Sequence, residues 1–145
     1  MDQEPDPALL GMAEYSRQQT EQILKQGTTD GITGNGLPIV LLTMRGARTG
    51  RPRHKPVMRV EHKGSYAVVG SSGASTGHPA WYYNLKTHPE VSLQDGVITR
   101  RFLAREAGGV ERAEWWQRAV AAYPNYDVMQ GMTERTLPLF VLDPL

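Results

Sequence analysis

Between Leu37 and Arg59 the chain reads LPIVLLTMRGARTGRPRHKPVMR, with Arg45, Arg48, Arg51, Arg53, Lys55 and Arg59 and no carboxylate among them. Guanidinium forks and ammonium groups grip phosphate and carboxylate oxygens through charge-assisted, often bidentate hydrogen bonds. The chemistry open to this cluster is capture of an anion. The charge around it is segregated: residues 1–30 carry −4, residues 31–89 carry +7 and residues 90–145 carry −2, although the whole chain is only +1. Glu61 is the only carboxylate between Asp30 and Glu90, and His54, His62, His78 and His88 all fall in the same block. Such a block steers an anionic ligand even in a nearly neutral protein. The simpler reading is a solvated hairpin whose arginines keep a strand edge soluble.

A second feature with chemical potential is the small-residue loop SSGASTG, residues 71–77, which runs from a short strand into a helix opened by Pro79. Free amides and the positive dipole end at a helix N-terminus favour a phosphate or carboxylate. An ordinary strand-to-helix connector explains the same residues. Within it, GASTG matches a nucleophile-elbow pattern centred on Ser75. That motif requires an acid and then a histidine downstream, yet no Asp or Glu lies between Ser75 and His88, the last histidine. A serine hydrolase is excluded in that order.

No glycine pattern of dinucleotide type follows a strand, and no phosphate loop ending in Lys and Ser or Thr is present. The histidines lack the spacing that puts two on one helix face, so no metal site is expected. Nucleic acid is the serious rival ligand, because Tyr66, Trp81, Tyr82 and Tyr83 near the basic block could stack on bases of a single strand. Trp81, Tyr82 and Leu85 also have the spacing of a buried helix face.

These side chains must be placed by one domain of ordinary size, 145 residues long. With no cysteine there is no disulfide, thiolate metal site or thiol nucleophile. No apolar run approaches a membrane span and the N-terminus MDQEPDPALL is acidic, so the chain reads as a soluble cytoplasmic protein. Asp6 and Pro7 predict a helix start and Gly27 its end. That helix has a thin apolar stripe and reads as a detachable arm outside the core, followed by a flexible loop, TTDGITGNG. Residues 1–36 are thus assigned to a helix and flexible arm, and 37–145 to the main domain.

In the main domain Ile39 to Thr43 and Pro56 to Val60 read as a hairpin bearing the cations at one end, and Ser65 to Gly70 as a third strand. A helix over AWYYNLKTH follows, then a second hairpin, Glu90 to Gln94 and Val97 to Ala104, turning at Asp95 and Gly96. Val110 to Ala122 predicts a helix packing Ala113, Trp116, Val120 and Tyr123 on the sheet, with Trp115 and Gln117 off it. After a short helical turn over NYDVMQGM, LPLFVLDPL forms a last strand. The class is mainly β with α (α+β): about six mostly antiparallel strands in a small barrel, with an inserted helix and flanking helices.

LLTMRGARTGRPRHKP, VVGSSGASTGHPAWYYNLKTHPEV, a helix ending YPNYDVM, and TLPLFVLDP occur in an order and spacing that resembles the deazaflavin-dependent nitroreductase family. The likeness covers roughly residues 37–144. It implies a split β-barrel that uses reduced coenzyme F420. It also implies that Arg48, Thr49, Arg53, Lys55 and Pro56 hold the cofactor's anionic tail. Val69, Gly70, Ser71, Ser72, Ala80, Trp81, Tyr82 and Asn84 would wall the deazaflavin ring, with Tyr123 and Tyr126 facing ring and substrate. The sequence departs from the family pattern at Ala47, in a turn that usually has a basic pair, at Ser72, where a lysine is frequent, and at Met129, where one member has a third tyrosine.

Residues and resemblance agree on chemistry. A hydride-carrying cofactor needs no protein nucleophile or metal, only a site that holds it against an electrophilic small-molecule acceptor. The expected activity is reduction of a quinone, activated alkene or nitroaromatic. Tyr126 and Ser71 would donate hydrogen bonds to the oxygen on which charge develops, with Tyr123 beside them. A related split barrel using FMN and a single-stranded nucleic-acid-binding barrel are the alternatives. A quinone acceptor would bring the N-terminal helix near a membrane surface.

Overall fold

The computed structural model describes residues 11–70, 78 and 80–145. In chain order the elements are α1 (Met12–Gln26), β1 (Thr33–Gly34), β2 (Leu37–Arg45), β3 (Pro52–Met58), β4 (Glu61–His62), β5 (Ser65–Val69), α2 (Ala80–Thr87), β6 (Glu90–Asp95), β7 (Ile98–Glu106), α3 (Gly109–Ala122), α4 (Asn125–Gly131) and β8 (Leu139–Pro144). The six expected strands are present, joined by the two-residue strands β1 and β4. Every strand pairing is antiparallel, and the sheet runs β1-β2-β6-β7-β8-β5-β4 with β3 on β2. The sheet keeps two free edges that bear on the site: β3 pairs only with β2, and β5 beyond Ala67 only with β8, among the described residues.

β2 is apolar at successive positions because both of its faces are covered. Val40, Leu42 and Met44 enter the barrel interior with Trp81, Leu85, Phe102 and Phe140, while Ile39 and Leu41 meet Ile23 and Ile32 outside. β8 divides likewise, with Phe140 and Leu142 inside and Leu139 and Val141 under α3 and α4. At one end the curled sheet is tied by Tyr66, whose hydroxyl donates to Asp95 Oδ2 at 2.5 Å, and by Arg59, whose Nε donates to the same carboxylate at 2.9 Å.

Three sequence expectations are corrected. β3 starts at Pro52, so Arg53 and Lys55 are strand residues pairing with Met44 and Leu42. α3 fully buries Trp115 and Ala119; of the expected stripe Ala113 is exposed, while Trp116, Val120 and Tyr123 are half-buried against the same cluster. Two adjacent tryptophans each begin a stripe of helical spacing, and packing chooses between them: Trp115 meets His62 edge-on at 6.1 Å under β5 and β8. The N-terminal helix is also part of the core at Ile23, which is fully buried, and the loop after it buries Thr29 and Ile32. The predicted helix start at Asp6 and Pro7 lies outside the described residues. No described helix is long and apolar enough to cross a membrane.

Candidate functional site

The basic turn between β2 and β3 is closed by its own backbone. Gly46 N–H donates to Arg51 O at 2.8 Å, Gly50 N–H to Gly46 O at 2.9 Å, and Arg51 N–H to Thr49 Oγ1 at 3.2 Å. A Cβ at residue 46 would stand 3.0 Å from Thr49 Oγ1 and 3.4 Å from Arg53 Nε, so glycine lets the turn fold tightly onto Arg53. Helix α2 then anchors the turn from outside: Ala47 N–H donates to Asn84 Oδ1 at 2.8 Å. The backbone amide can only donate, which fixes the orientation of the Asn84 side chain. Arg48, Thr49 and Arg53 are left exposed, while Pro56 is buried in the strand beyond.

The cations in this region are uncompensated. Arg59, Arg101 and Arg105 pair with Asp95, Glu90 and Asp143 respectively. Arg45, Arg48, Arg51, Arg53 and Lys55 form no ion pair with a described residue. Lys55 is half-buried, its Nζ donates to Ser16 Oγ of α1 at 3.3 Å, and burial pushes its ammonium below the ordinary lysine range. A desolvated cation without a counter-charge favours an incoming anion.

The strand alternation divides the cations. Arg53 and Lys55 share the face of Met44 and Leu42, whereas Arg45 shares the face of Thr43, whose Oγ1 lies 2.9 Å from His54 Nδ1. An open cleft of about 560 Å³ lies on that second face, lined among others by Thr43, Arg45, Ser92 and Arg101. None of the described residues assigned to the cofactor from the sequence lines it.

A second group forms at the other end of β3. Val69, Tyr126, Leu137 and Trp115 are buried together, with Met58, Tyr123 and Met129 packed against them. Tyr126 is 5% exposed, and burial raises its phenol so that it stays neutral. Its ring meets Tyr123 edge-on, with centroids 4.9 Å apart. The half-buried Tyr123 hydroxyl accepts from Asn35 Nδ2 at 2.6 Å and from Asn125 Nδ2 at 3.3 Å. Gly70, at the end of β5, is fixed by N–H donation to Pro138 O at 2.8 Å, and its carbonyl accepts from Arg135 Nη2 at 3.0 Å.

The remaining sequence-assigned residues are spread around α2. Trp81 is buried in the barrel interior, edge-on to Phe140 at 6.2 Å. Tyr82 donates to Glu106 Oε1 at 3.1 Å and stacks on His78 at 4.1 Å, and Ala80 is exposed at the helix start. Ser71 and Ser72 lie outside the described residues. The structure thus gathers Arg48, Thr49, Arg53 and Asn84 at one end of β3, and Val69, Tyr123 and Tyr126 at the other. Arg53 and Met58 are separated by roughly 17 Å of extended strand. Sequence reasoning missed Ser16, Asn35, Met58 and Asn125; the Asn35-Gly36 pair was visible only as a turn signal.

Among the described residues no cluster of His, Asp and Glu could hold a metal. The arrangement is suited to an elongated ligand with an acidic end at the turn and a flat end near the tyrosines.

The chain matches the family model described as F420H(2)-dependent quinone reductase over residues 15–144. Rv3178 of Mycobacterium tuberculosis, named for F420H(2)-dependent quinone reduction, is 33% identical over 108 residues, covering 74% of this chain and 91% of its own. A solved F420-H2 dependent reductase, FDR-A, is 48% identical with a TM-score of 0.70, over 73% of this chain and 94% of that one. Another structure, described as a domain-swapped dimer, is 48% identical with a TM-score of 0.73, over 90% and 98%. The split-barrel fold itself recurs in a pyridoxamine 5'-phosphate oxidase-like structure from Listeria innocua at 13% identity and a TM-score of 0.53, over 88% and 91%. With the family model matched over residues 15–144, the chain belongs to the F420H(2)-dependent quinone reductase family.

Proposed function

We propose that this chain reduces quinones at the expense of reduced F420, and that activated alkenes and nitroaromatics able to enter beside Tyr126 are accepted as well. The observation that carries this reading is the run of five cations, Arg45 to Lys55, without an ion pair among the described residues, in a protein where Arg17, Arg59, Arg101 and Arg105 are paired. A solvated hairpin would be expected to scatter or pair such charges; an acidic tail supplies what they lack.

Arg48 and Arg53 offer exposed guanidinium forks to that tail, and Thr49 a hydroxyl, on a turn whose position Asn84 fixes. Lys55 adds an ammonium already stripped of part of its water, so bringing an anion to it costs little further desolvation. When bound, reduced F420 supplies the hydride. Val69 and Gly70 border the free edge of β5, where backbone groups and an apolar wall accept a flat ring. Tyr126, kept neutral by burial, donates a hydrogen bond to the acceptor oxygen on which charge grows, together with Ser71. Met129 and Met58 make the surroundings apolar and exclude water from the reacting atoms.

The test is oxidation of reduced F420 by the purified full chain with menadione, followed by the return of the oxidised cofactor's absorbance. Turnover that falls about 10- to 100-fold in Tyr126→Phe supports the reading. Binding of F420 without oxidation by any quinone, enone or nitroaromatic would refute it.

A further inference from the structure

The Tyr123 hydroxyl is approached by amides from two distant parts of the chain, Asn35 at the β1–β2 hairpin tip and Asn125 at the start of α4. A phenol oxygen accepts hydrogen bonds and also carries one proton to donate. With the oxygen accepting from two N–H donors, its proton has no taker among the described residues, and the ring is half-buried beside Tyr126. We infer that Asn35 is a positioning residue: with Asn125 it turns the Tyr123 hydroxyl into an outward donor, a further hydrogen bond to the acceptor oxygen beside those of Tyr126 and Ser71. This assignment rests on the quinone-reducing reading of the site.

The turn alone does not account for the asparagine. Asn35 has φ +51° and Gly36 φ +78°, a left-handed pair that glycine or aspartate at residue 35 would also satisfy. Of these residues only asparagine can donate to the phenol oxygen, across 88 residues of sequence. The contact also makes the N-terminal segment part of the active site. The same segment donates from Gln19 Nε2 to Thr33 O at 3.0 Å and buries Ile23 and Ile32, so the hairpin tip is held from behind.

Asn35→Gly keeps the turn and removes the donor, while Asn35→Asp keeps the turn and offers only acceptors, which would draw the Tyr123 proton back into the protein. Two readouts test the role. In nitrogen-15 spectra of the cofactor-free full chain, the side-chain amide pair that disappears in Asn35→Gly should shift in Tyr123→Phe. An unmoved pair would overturn the contact. In turnover with reduced F420 and menadione, Asn35→Gly should lower kcat about tenfold, with F420 affinity unchanged and melting temperature lowered by no more than the loss of one hydrogen bond, and Asn35→Asp should lower kcat further. Wild-type kcat in both variants would overturn the role of Asn35 while leaving the enzyme's function intact. Absence of turnover in the wild type would instead sink the quinone reading, and this role with it.

Discussion

Asn84 Oδ1 accepts the Ala47 N–H at 2.8 Å, so helix α2 grips the basic turn by its backbone and leaves the turn's side chains to a ligand. Ala47, which has no charged side chain to offer a ligand, is thus the residue whose backbone amide secures the turn. Asn84→Ala should cost about 1 kcal/mol of stability, the net worth of one such hydrogen bond. It should also weaken F420 binding several-fold by loosening Arg48 and Thr49. Thermal denaturation and cofactor titration read the two effects separately, and unchanged affinity would show that the turn needs no anchor.

Lys55 is expected to trade stability for binding. Burial lowers its folded-state pKa below the 10.5 of an ordinary lysine, so the folded protein carries a penalty that is full below the folded value. That penalty disappears as pH rises toward 10.5, where the unfolded chain also loses its proton. Lys55→Met should therefore leave the neutral-pH melting temperature level or higher, and should remove that rise on the alkaline side. It should at the same time weaken F420 binding. A variant that melts lower and binds normally would contradict the assignment.

Tyr66 predicts the opposite slope. Burial and the hydrogen bond to Asp95 raise its phenol from 10.0 to about 12. The stability this contributes is complete below pH 10.0 and is lost as pH climbs to about 12, because the unfolded phenol ionises first. The side chain is half-buried, with its hydroxyl end near solvent, so screening holds the effect to about 1 kcal/mol. Denaturant titrations at pH 9 and near 12 should show a smaller alkaline loss in Tyr66→Phe than in the wild type.

The two adjacent tryptophans of α3 should differ sharply. Trp115→Ala opens a cavity under β5 and β8 and should cost about 3–5 kcal/mol. Trp116 is half-buried and held by Asp127 Oδ1 at 2.9 Å, so its replacement by alanine should cost about half as much or less. Equal losses in chemical denaturation would mean that the helix is rotated.

Features encoded by near neighbours were legible in the sequence. Asp95-Gly96, the alternation in β6, and the apolar run of β8 placed their strands well, because turn chemistry and side-chain period are local. The extension of β3 back to Pro52 was hidden because PRHKP has little apolar alternation; its register comes from seven pairings with β2. The choice between Trp115 and Trp116 depends on which side of α3 meets the sheet, a tertiary fact. The burial of Ile23 likewise needs Ile32, Ile39 and Leu41 brought from elsewhere. In the proposed site, Arg53, Asn84, Tyr123 and Tyr126 were named from residue type and resemblance. Asn35 was not, since its partner lies 88 residues away and its own signal is that of a turn.

Whether the unpaired cations hold the cofactor's acidic tail is tested most directly by equilibrium titration of F420 into the full chain, at low and high salt. Arg53→Ala and Lys55→Met should each weaken binding on the order of tenfold, corresponding to about 1.4 kcal/mol. The difference from wild type should shrink as salt screens the charges. Wild-type affinity and salt dependence in both variants would contradict that role.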